Sequence, residues 1–271
     1  MTKISSKLVL ITGGASGIGK IMGREVLKQG GKLVIWDVDK LNLQKTLNEF
    51  EELGEVYGYT IDITNSVWVK EMARQVEEEI GGIDILINNA GIVYGGYFHE
   101  NSSEKIEKTM KVNAIAPMQL ALTFLPGMLK KKKGHICNIT SSAGLVSNPK
   151  MAVYAGSKWA ATGWSDSLRL EMNQLKTGVG VTTVTPYYIN TGMFHGVKSN
   201  IPILDQYKVA KKIIKAIESN KSYLSMPWSM RFVRFSQGLF PIWFYDWFVG
   251  RVIGVYKTMD EFKGRPKKIK L

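Results

Sequence analysis

The chain predicts an α/β fold in which a parallel sheet is wound with helices on both faces. Short β-branched apolar runs recur at 8–11, 33–36, 56–61, 83–87, 135–139 and 179–184, and helix-length amphipathic segments separate them. No linker, internal repeat or low-complexity tract interrupts this alternation before about residue 226. Runs that are apolar throughout, rather than at every second residue, are what a sheet covered on both sides requires. Right-handed crossovers then favour the Rossmann strand order, with about seven strands and the last near 222–226. Residues 1–226 therefore read as one domain and 227–271 as an aromatic, helical C-terminal extension.

The first run opens into Thr12-Gly-Gly-Ala-Ser-Gly-Ile-Gly19 ahead of a helix-like stretch. Gly13 can take tight-turn backbone angles, Gly17 admits a pyrophosphate to the main chain, and Gly19 lets the helix pack closely. The helix start then offers free N–H groups and the positive dipole end to phosphates. The second run ends at Asp37, eighteen residues past Gly19. A carboxylate there can accept both adenosine ribose hydroxyls and repels a 2′-phosphate, while Asp39 suits the cap of the next helix. Ser16 and Val38 stand where a phosphate-reading arginine would be placed, and Lys40 is the one nearby cation that argues the other way. NAD is expected over NADP.

The fifth run, 135–139, opens into small polar residues, Thr140, Ser141, Ser142, Ala143 and Gly144, and such a strand end is where a doubly wound sheet keeps its ligand. Thirteen positions after Ser141 comes Tyr154-Ala-Gly-Ser-Lys158, a phenol and an ammonium four residues apart on one helix face. A tyrosine near its reference pKa of ~10 acts as a base at neutrality only if a cation holds its phenolate, at about 1.4 kcal/mol per pH unit. Lys158 is placed to be that cation.

Taken in order, Thr12 to Gly19, Asn88-Asn-Ala-Gly91, Asn113, Ser141, Tyr154-x-x-x-Lys158 and Pro186 to Thr191 resemble the short-chain dehydrogenase/reductase family over nearly the whole chain. The resemblance implies that Tyr154 is the general acid in reduction and the general base in oxidation. Ser141, preferred to Ser142 for its spacing, would bind the substrate oxygen. Lys158 would hold the nicotinamide ribose and lower the tyrosine pKa, and Asn113 would seat a water linking Lys158 to solvent. The cofactor contacts implied are Gly13, Ser16, Gly17, Ile18, Gly19, Asp37, Asp62, Ile63, Asn89, Ala90, Gly91, Tyr154, Lys158, Pro186, Ile189 and Thr191. In one place the chain departs from the family: Pro186 is followed by Tyr187 and Tyr188 where glycine is usual. Bulky aromatics beside the nicotinamide resemble the retinol and 17β-hydroxysteroid, membrane-associated branch.

Net charge is +13, but the lysines are spread over helix faces and the run at 130–133 ends a helix, so most of it reads as solvated surface. No nucleic-acid-reading motif accompanies the charge. The single cysteine, Cys137, falls in a strand and suits a reducing compartment. The three histidines show no metal-ligand spacing, and no metal is expected. Residues 1–7 lead straight into the first run and show no cleavable signal, so a cytoplasmic protein is expected.

The segment 207–217 carries a core-facing stripe of Tyr207, Val209, Ile213, Ile214 and Ile217. The loop before it, 191–204, offers Met193, Phe194 and Val197 as pocket walls or as surface packing. The extension holds Trp228, Phe232, Phe235, Phe240, Trp243, Phe244, Tyr245, Trp247, Phe248, Tyr256 and Phe262, and three uses compete for them: core or oligomer packing, a lid on an apolar pocket, or contact with a membrane interface. Its apolar stretch is too short to span a bilayer, which needs about twenty residues. The leading expectation is an NAD-dependent alcohol–carbonyl oxidoreductase on a steroid, retinoid or lipid, assembled as a homodimer or homotetramer. An NADPH-dependent 3-oxoacyl-carrier-protein reductase and a non-catalytic dinucleotide-binding protein are the alternatives.

Overall fold

The computed structural model describes residues 2–264. Met1 and 265–271, the end of the extension, lie outside the described residues. Seven strands, β1 Leu8–Thr12, β2 Lys32–Asp37, β3 Val56–Thr60, β4 Ile85–Asn88, β5 Gly134–Ile139, β6 Val179–Pro186 and β7 Tyr223–Met226, form one parallel sheet in the order β3-β2-β1-β4-β5-β6-β7. The fourth strand begins later than its apolar run, and Ile83 is buried ahead of it.

Successive strand residues point to opposite faces, and both faces are covered. On one, Val9, Ile11, Leu33, Ile35 and Ile87 pack against α1 (Gly17–Lys28) and α7 (Gln206–Glu218). On the other, Leu10, Val34, Trp36, Leu86 and Ile136 meet α3 (Ser66–Glu79), α5 (Ala116–Lys130) and α6 (Ala152–Gln174). Two covered faces explain the continuous apolar runs. In α7 the buried stripe is Val209, Ala210, Ile213, Ile214 and Ile217; Tyr207 falls off it and is exposed.

The shorter helix α2 (Lys40–Phe50) follows Asp39, whose carboxylate accepts the Asn42 N–H at 3.0 Å. Helix α4 (Ser103–Met110) runs through a π-turn, Lys111–Ile115, into α5. The 28-residue run Ser103–Lys130 is long and apolar enough to cross a membrane by length and composition alone. Leu120, Phe124 and Met128 bury against the sheet, however, and the π-turn carries Asn113 into the interior, so this is a core helix.

Beyond β7 the extension turns through 3₁₀ residues Trp228–Phe232, α8 (Val233–Leu239), α9 (Ile242–Asp246) and a π-turn, Trp247–Val252. It returns over the C-terminal ends of the strands. A third core cluster forms there, in which Met230 and Met259 of the extension join Tyr154, Tyr187 and Tyr188.

Candidate active site

The turn between β1 and α1 is shaped by close backbone contacts. Gly13 has φ +64°, and a Cβ there would lie 2.9 Å from Ala90 Cα. A Cβ at Gly19 would stand 2.3 Å from the Gly13 carbonyl, so Gly19 serves the approach of the helix to its own turn more than to the sheet. Thr12 secures the neighbouring strand end: its hydroxyl accepts the N–H groups of Asn89 and Ala90, both at 3.1 Å. The Asn89 carboxamide donates back to the carbonyls of Thr12 and Gly13 at 2.9 and 3.0 Å. Thr12 escaped the sequence reading as a site residue, although it stands first in the glycine motif.

A cleft of about 350 Å³ runs along these strand ends. Every residue expected to contact the dinucleotide lines it except Gly19, which lies behind the turn. Gly13 and Gly17 bring bare backbone to the cleft beside Ser16 and Ile18, and α1 begins there at Gly17. Asp37 Oδ2 accepts the Ala15 N–H at 2.9 Å and Oδ1 accepts the Asp39 N–H at 3.0 Å, so the carboxylate is fixed in place with lone pairs remaining. The residues present fit a dinucleotide.

At the inner end of the cleft stand Tyr154, Lys158 and Ser141. Tyr154 and Lys158 are both buried on α6, with the Lys158 ammonium 5.8 Å from the centroid of the Tyr154 ring. Lys158 Nζ donates to the Ile139 carbonyl at 3.1 Å. Burial pushes the phenol up to about 12, with the Ser141 hydroxyl drawing it back, and pushes the ammonium down to about 8. Burial is the largest influence on both groups in this state. Each charged form is costly alone, and each would relieve the other as a pair.

Asn113 lies behind Lys158. Its Oδ1 accepts the Ile92 N–H at 2.9 Å, and its Nδ2 donates to the Ile92 carbonyl at 2.9 Å and to Ser157 Oγ at 3.0 Å. The carboxamide N–H groups are therefore committed to fixing the π-turn, and one Oδ1 lone pair is what its side chain retains for a water. Ser157, not singled out from the sequence, donates onward to the Tyr154 carbonyl at 2.7 Å. Its signal is a hydroxyl at i+3 on the same helix, where bonding to a preceding carbonyl is common.

Ser141 accepts the Ala143 N–H at 3.1 Å, which leaves its own proton to donate, in this state toward the Tyr154 phenol. It lines the dinucleotide cleft and also a second, apolar cavity of about 250 Å³, whereas Ser142 lines the second alone. Tyr187 and Tyr188 form the floor of that cavity with Met151, and Phe232, Phe240, Phe244 and Phe248 of the extension form its outer wall. The Tyr188 hydroxyl is held by Asn148 Nδ2 at 3.1 Å and by Thr258 Oγ1 at 3.0 Å, and burial raises its pKa. Of the three loop residues named from the sequence, Phe194 packs edge-on to Tyr154 at 5.9 Å and lines both spaces, Met193 faces the dinucleotide cleft, and Val197 is buried in the third core cluster.

Residues 7–202 match the short chain dehydrogenase family. Epidermal retinol dehydrogenase 2 of Homo sapiens is 36% identical over 273 aligned positions, covering 98% of this chain and 88% of that protein. Estradiol 17-beta-dehydrogenase 11 of Homo sapiens is 34% identical over 241 positions, covering 88% and 80%. A solved short chain dehydrogenase/reductase from Burkholderia phymatum, in complex with NAD, superposes with a TM-score of 0.81 at 26% identity, over 88% of this chain and 95% of that one. The fold, the residues gathered at the strand ends and these likenesses lead to one conclusion: the chain belongs to the short-chain dehydrogenase family, oxidoreductases that act on CH–OH groups.

Proposed function

We propose that this enzyme uses NAD(H) to interconvert a secondary or allylic alcohol and its carbonyl on an apolar molecule of the retinoid, steroid or long-chain lipid kind. The observation that carries the reading is Ser141 at the junction of the dinucleotide cleft and a second cavity walled chiefly by aromatic and aliphatic side chains, with Tyr154 beside it. When bound in the cleft, the nicotinamide supplies the hydride acceptor for oxidation and the donor for reduction.

Ser141 Oγ donates to the substrate oxygen and orients it toward Tyr154. Tyr154 Oη takes the hydroxyl proton in oxidation and returns it in reduction. Lys158 Nζ offsets the phenolate charge in a site too dry for water to do so. Asn113 and Ser157 fix the backbone that carries both groups. Phe194 and the extension keep bulk water from the reacting oxygen.

Support for NAD over NADP comes from Asp37, aimed into the cleft, and from Lys40, which is not among the residues facing it. The named activities of the two human relatives support the apolar substrate class. The carrier-protein reductase alternative has less in its favour, since Asp37 opposes NADP, and a pure dinucleotide binder has no use for the Ser141–Tyr154–Lys158 constellation. Exposed Leu122 on α5 and Trp159 on α6 offer a face for a homodimer or homotetramer. A cytoplasmic location with peripheral membrane contact fits the extension.

The test is a cofactor and substrate matrix: purified protein with NAD or NADP against retinol, steroid alcohols, long-chain secondary alcohols and 3-hydroxyacyl thioesters. Turnover of the apolar alcohols, with NAD at higher kcat/KM than NADP, is the expected outcome. Preference for NADP and a thioester would overturn it.

A further inference from the structure

The wall between the apolar cavity and the outside is one aromatic ring thick. Phe232, Phe240 and Phe248 line the cavity and are also 57%, 42% and 43% exposed, so the same rings face the pocket inward and solvent outward. They are continuous with Trp243 at 73% and Ile242 at 78% exposed, which contribute nothing to the cavity. Phe244 holds the group together, with centroids 5.0 Å from Phe240, 5.8 Å from Trp243 and Trp247, and 6.4 Å from Phe248. A contiguous apolar face of this kind is uncommon on a protein that stays in water.

Charge decides among the partners such a face could meet. Within 228–257 the charged residues are Arg231, Arg234, Arg251, Lys257 and Asp246, and all five are exposed. Asp246 accepts a hydrogen bond from the Tyr256 hydroxyl and Arg234 stands 4.0 Å from Asp166, so Arg231, Arg251 and Lys257 give the rim its basic character. A second copy docked through the same patch would bring two basic rims together, because an isologous contact uses the same surface of both subunits. An anionic lipid surface is complementary to both parts: aromatic rings settle at headgroup depth while arginine and lysine meet lipid phosphate. Helices α8 and α9, of seven and five residues, are far too short to span a bilayer and suit lying on one.

We infer that this face docks the enzyme on an anionic bilayer and that the substrate passes from lipid into the cavity between the shared phenylalanines, without an aqueous step. The inference rests on the apolar-substrate reading above and deepens it by naming the phase that delivers the substrate. The route runs between these rings to Ser141, which lines the same cavity and also the dinucleotide cleft that holds Tyr154.

The experiment compares the intact protein with the double variant Ile242→Glu, Trp243→Glu, both on the outer surface and away from the cavity. Co-sedimentation uses vesicles of phosphatidylcholine alone and of phosphatidylcholine with phosphatidylserine, at low and high salt. Rates with NAD are read on a short water-soluble secondary alcohol and on a long-chain secondary alcohol held in the same vesicles. The wild type should favour the anionic vesicles by about ten- to hundredfold, lose that preference in salt and retain weaker binding to neutral ones. The double variant should lose at least tenfold in vesicle binding and in rate on the vesicle-held alcohol, and keep its rate on the soluble alcohol within twofold.

Wild-type protein that stays in the supernatant overturns the inference, as does a variant that leaves the membrane yet turns over the vesicle-held alcohol at the wild-type rate. A dimer in sedimentation velocity that the variant splits, with no vesicle binding, makes a second copy the occupant and overturns it as well. Vesicle binding that follows the expected pattern while neither alcohol reacts supports the docking face and instead removes the alcohol reading on which the entry route depends.

Discussion

The two spaces that meet at Ser141 are built on opposite principles. At its β1 end the dinucleotide cleft is framed by main chain, with a glycine turn, strand ends tied by Thr12 and Asn89, and a carboxylate held by two backbone N–H groups, and side chains such as Ile61 and Ile63 complete it. The apolar cavity is walled by side chains, chiefly tyrosines at the end of β6 and phenylalanines from short helices after β7. A wall of main chain fixes its ligand closely and tolerates little change. A wall of large side chains on short elements can be resized one ring at a time, so the two halves of one site answer to different constraints.

The sharpest way to break the comparison is at the point where both spaces serve one reaction. Tyr154→Phe keeps the ring packed against Phe194 and removes the transferable proton, so kcat should fall by about 10²–10⁴ while NAD affinity, set by the cleft, stays near wild type. Dinucleotide fluorescence titration alongside steady-state rates checks this. Equal loss of NAD binding would show that the two halves are not separable.

A smaller effect is expected at the junction. Ser141→Ala removes the hydroxyl donor and should lower kcat/KM by roughly 10²–10³, by analogy with other oxyanion donors. Ser142→Ala, in the apolar cavity alone, should alter KM for the substrate within a few-fold and leave NAD untouched. Reversal of that order would move the junction by one residue.

The smallest effect is on stability, and it has the opposite sign to the effect on activity. Burial lowers Lys158 to about 8 in the folded chain against 10.5 for the free side chain, so below pH 8 the folded state carries an unfavourable buried ammonium. Between about 8 and 10.5 the unfolded chain binds more protons than the folded one, and this group makes stability rise with pH across that window. Lys158→Met should therefore stabilise the dinucleotide-free protein at pH 7 by on the order of 2–3 kcal/mol and by little above pH 10.5, with activity largely lost. Urea denaturation at pH 7 and pH 10.5 measures it, and an unstable variant at pH 7 would show that the bond to the Ile139 carbonyl outweighs desolvation.

Legibility in the sequence follows the same division. The sheet was readable because residues buried on two faces leave continuous apolar runs, and the cleft was readable because tight turns and backbone approaches demand glycine at fixed places. Thr12 and Ser157 do not stand out in the sequence for a common reason: each acts by bonding to main chain, Thr12 across to the end of β4 and Ser157 within its own helix, and a single hydroxyl in a motif or at i+3 is a faint mark. Asn113 was placed in the site, yet its carboxamide secures a π-turn that no residue pattern announces. Tyr207 looked like part of a core stripe because a tyrosine counts as apolar in a periodicity, while its place at the first turn of α7 leaves it in solvent. The sequence leaves three uses open for the extension's rings, since 3₁₀ and π-turns follow neither helical nor strand periodicity and the same phenylalanine can face inward and outward.

Asp37 carries a further consequence. Its two oxygens hold Ala15 and Asp39 before any ligand arrives, so the residue that would discriminate between cofactors is also a fastener joining the first glycine turn to the end of β2. An engineer seeking to redirect the enzyme to the phosphorylated cofactor by deleting this charge would unfasten that corner in the same stroke. A neutral replacement that still accepts from a backbone N–H, such as asparagine or serine, separates recognition from architecture, and a natural lineage changing its redox partner would face the same order of steps.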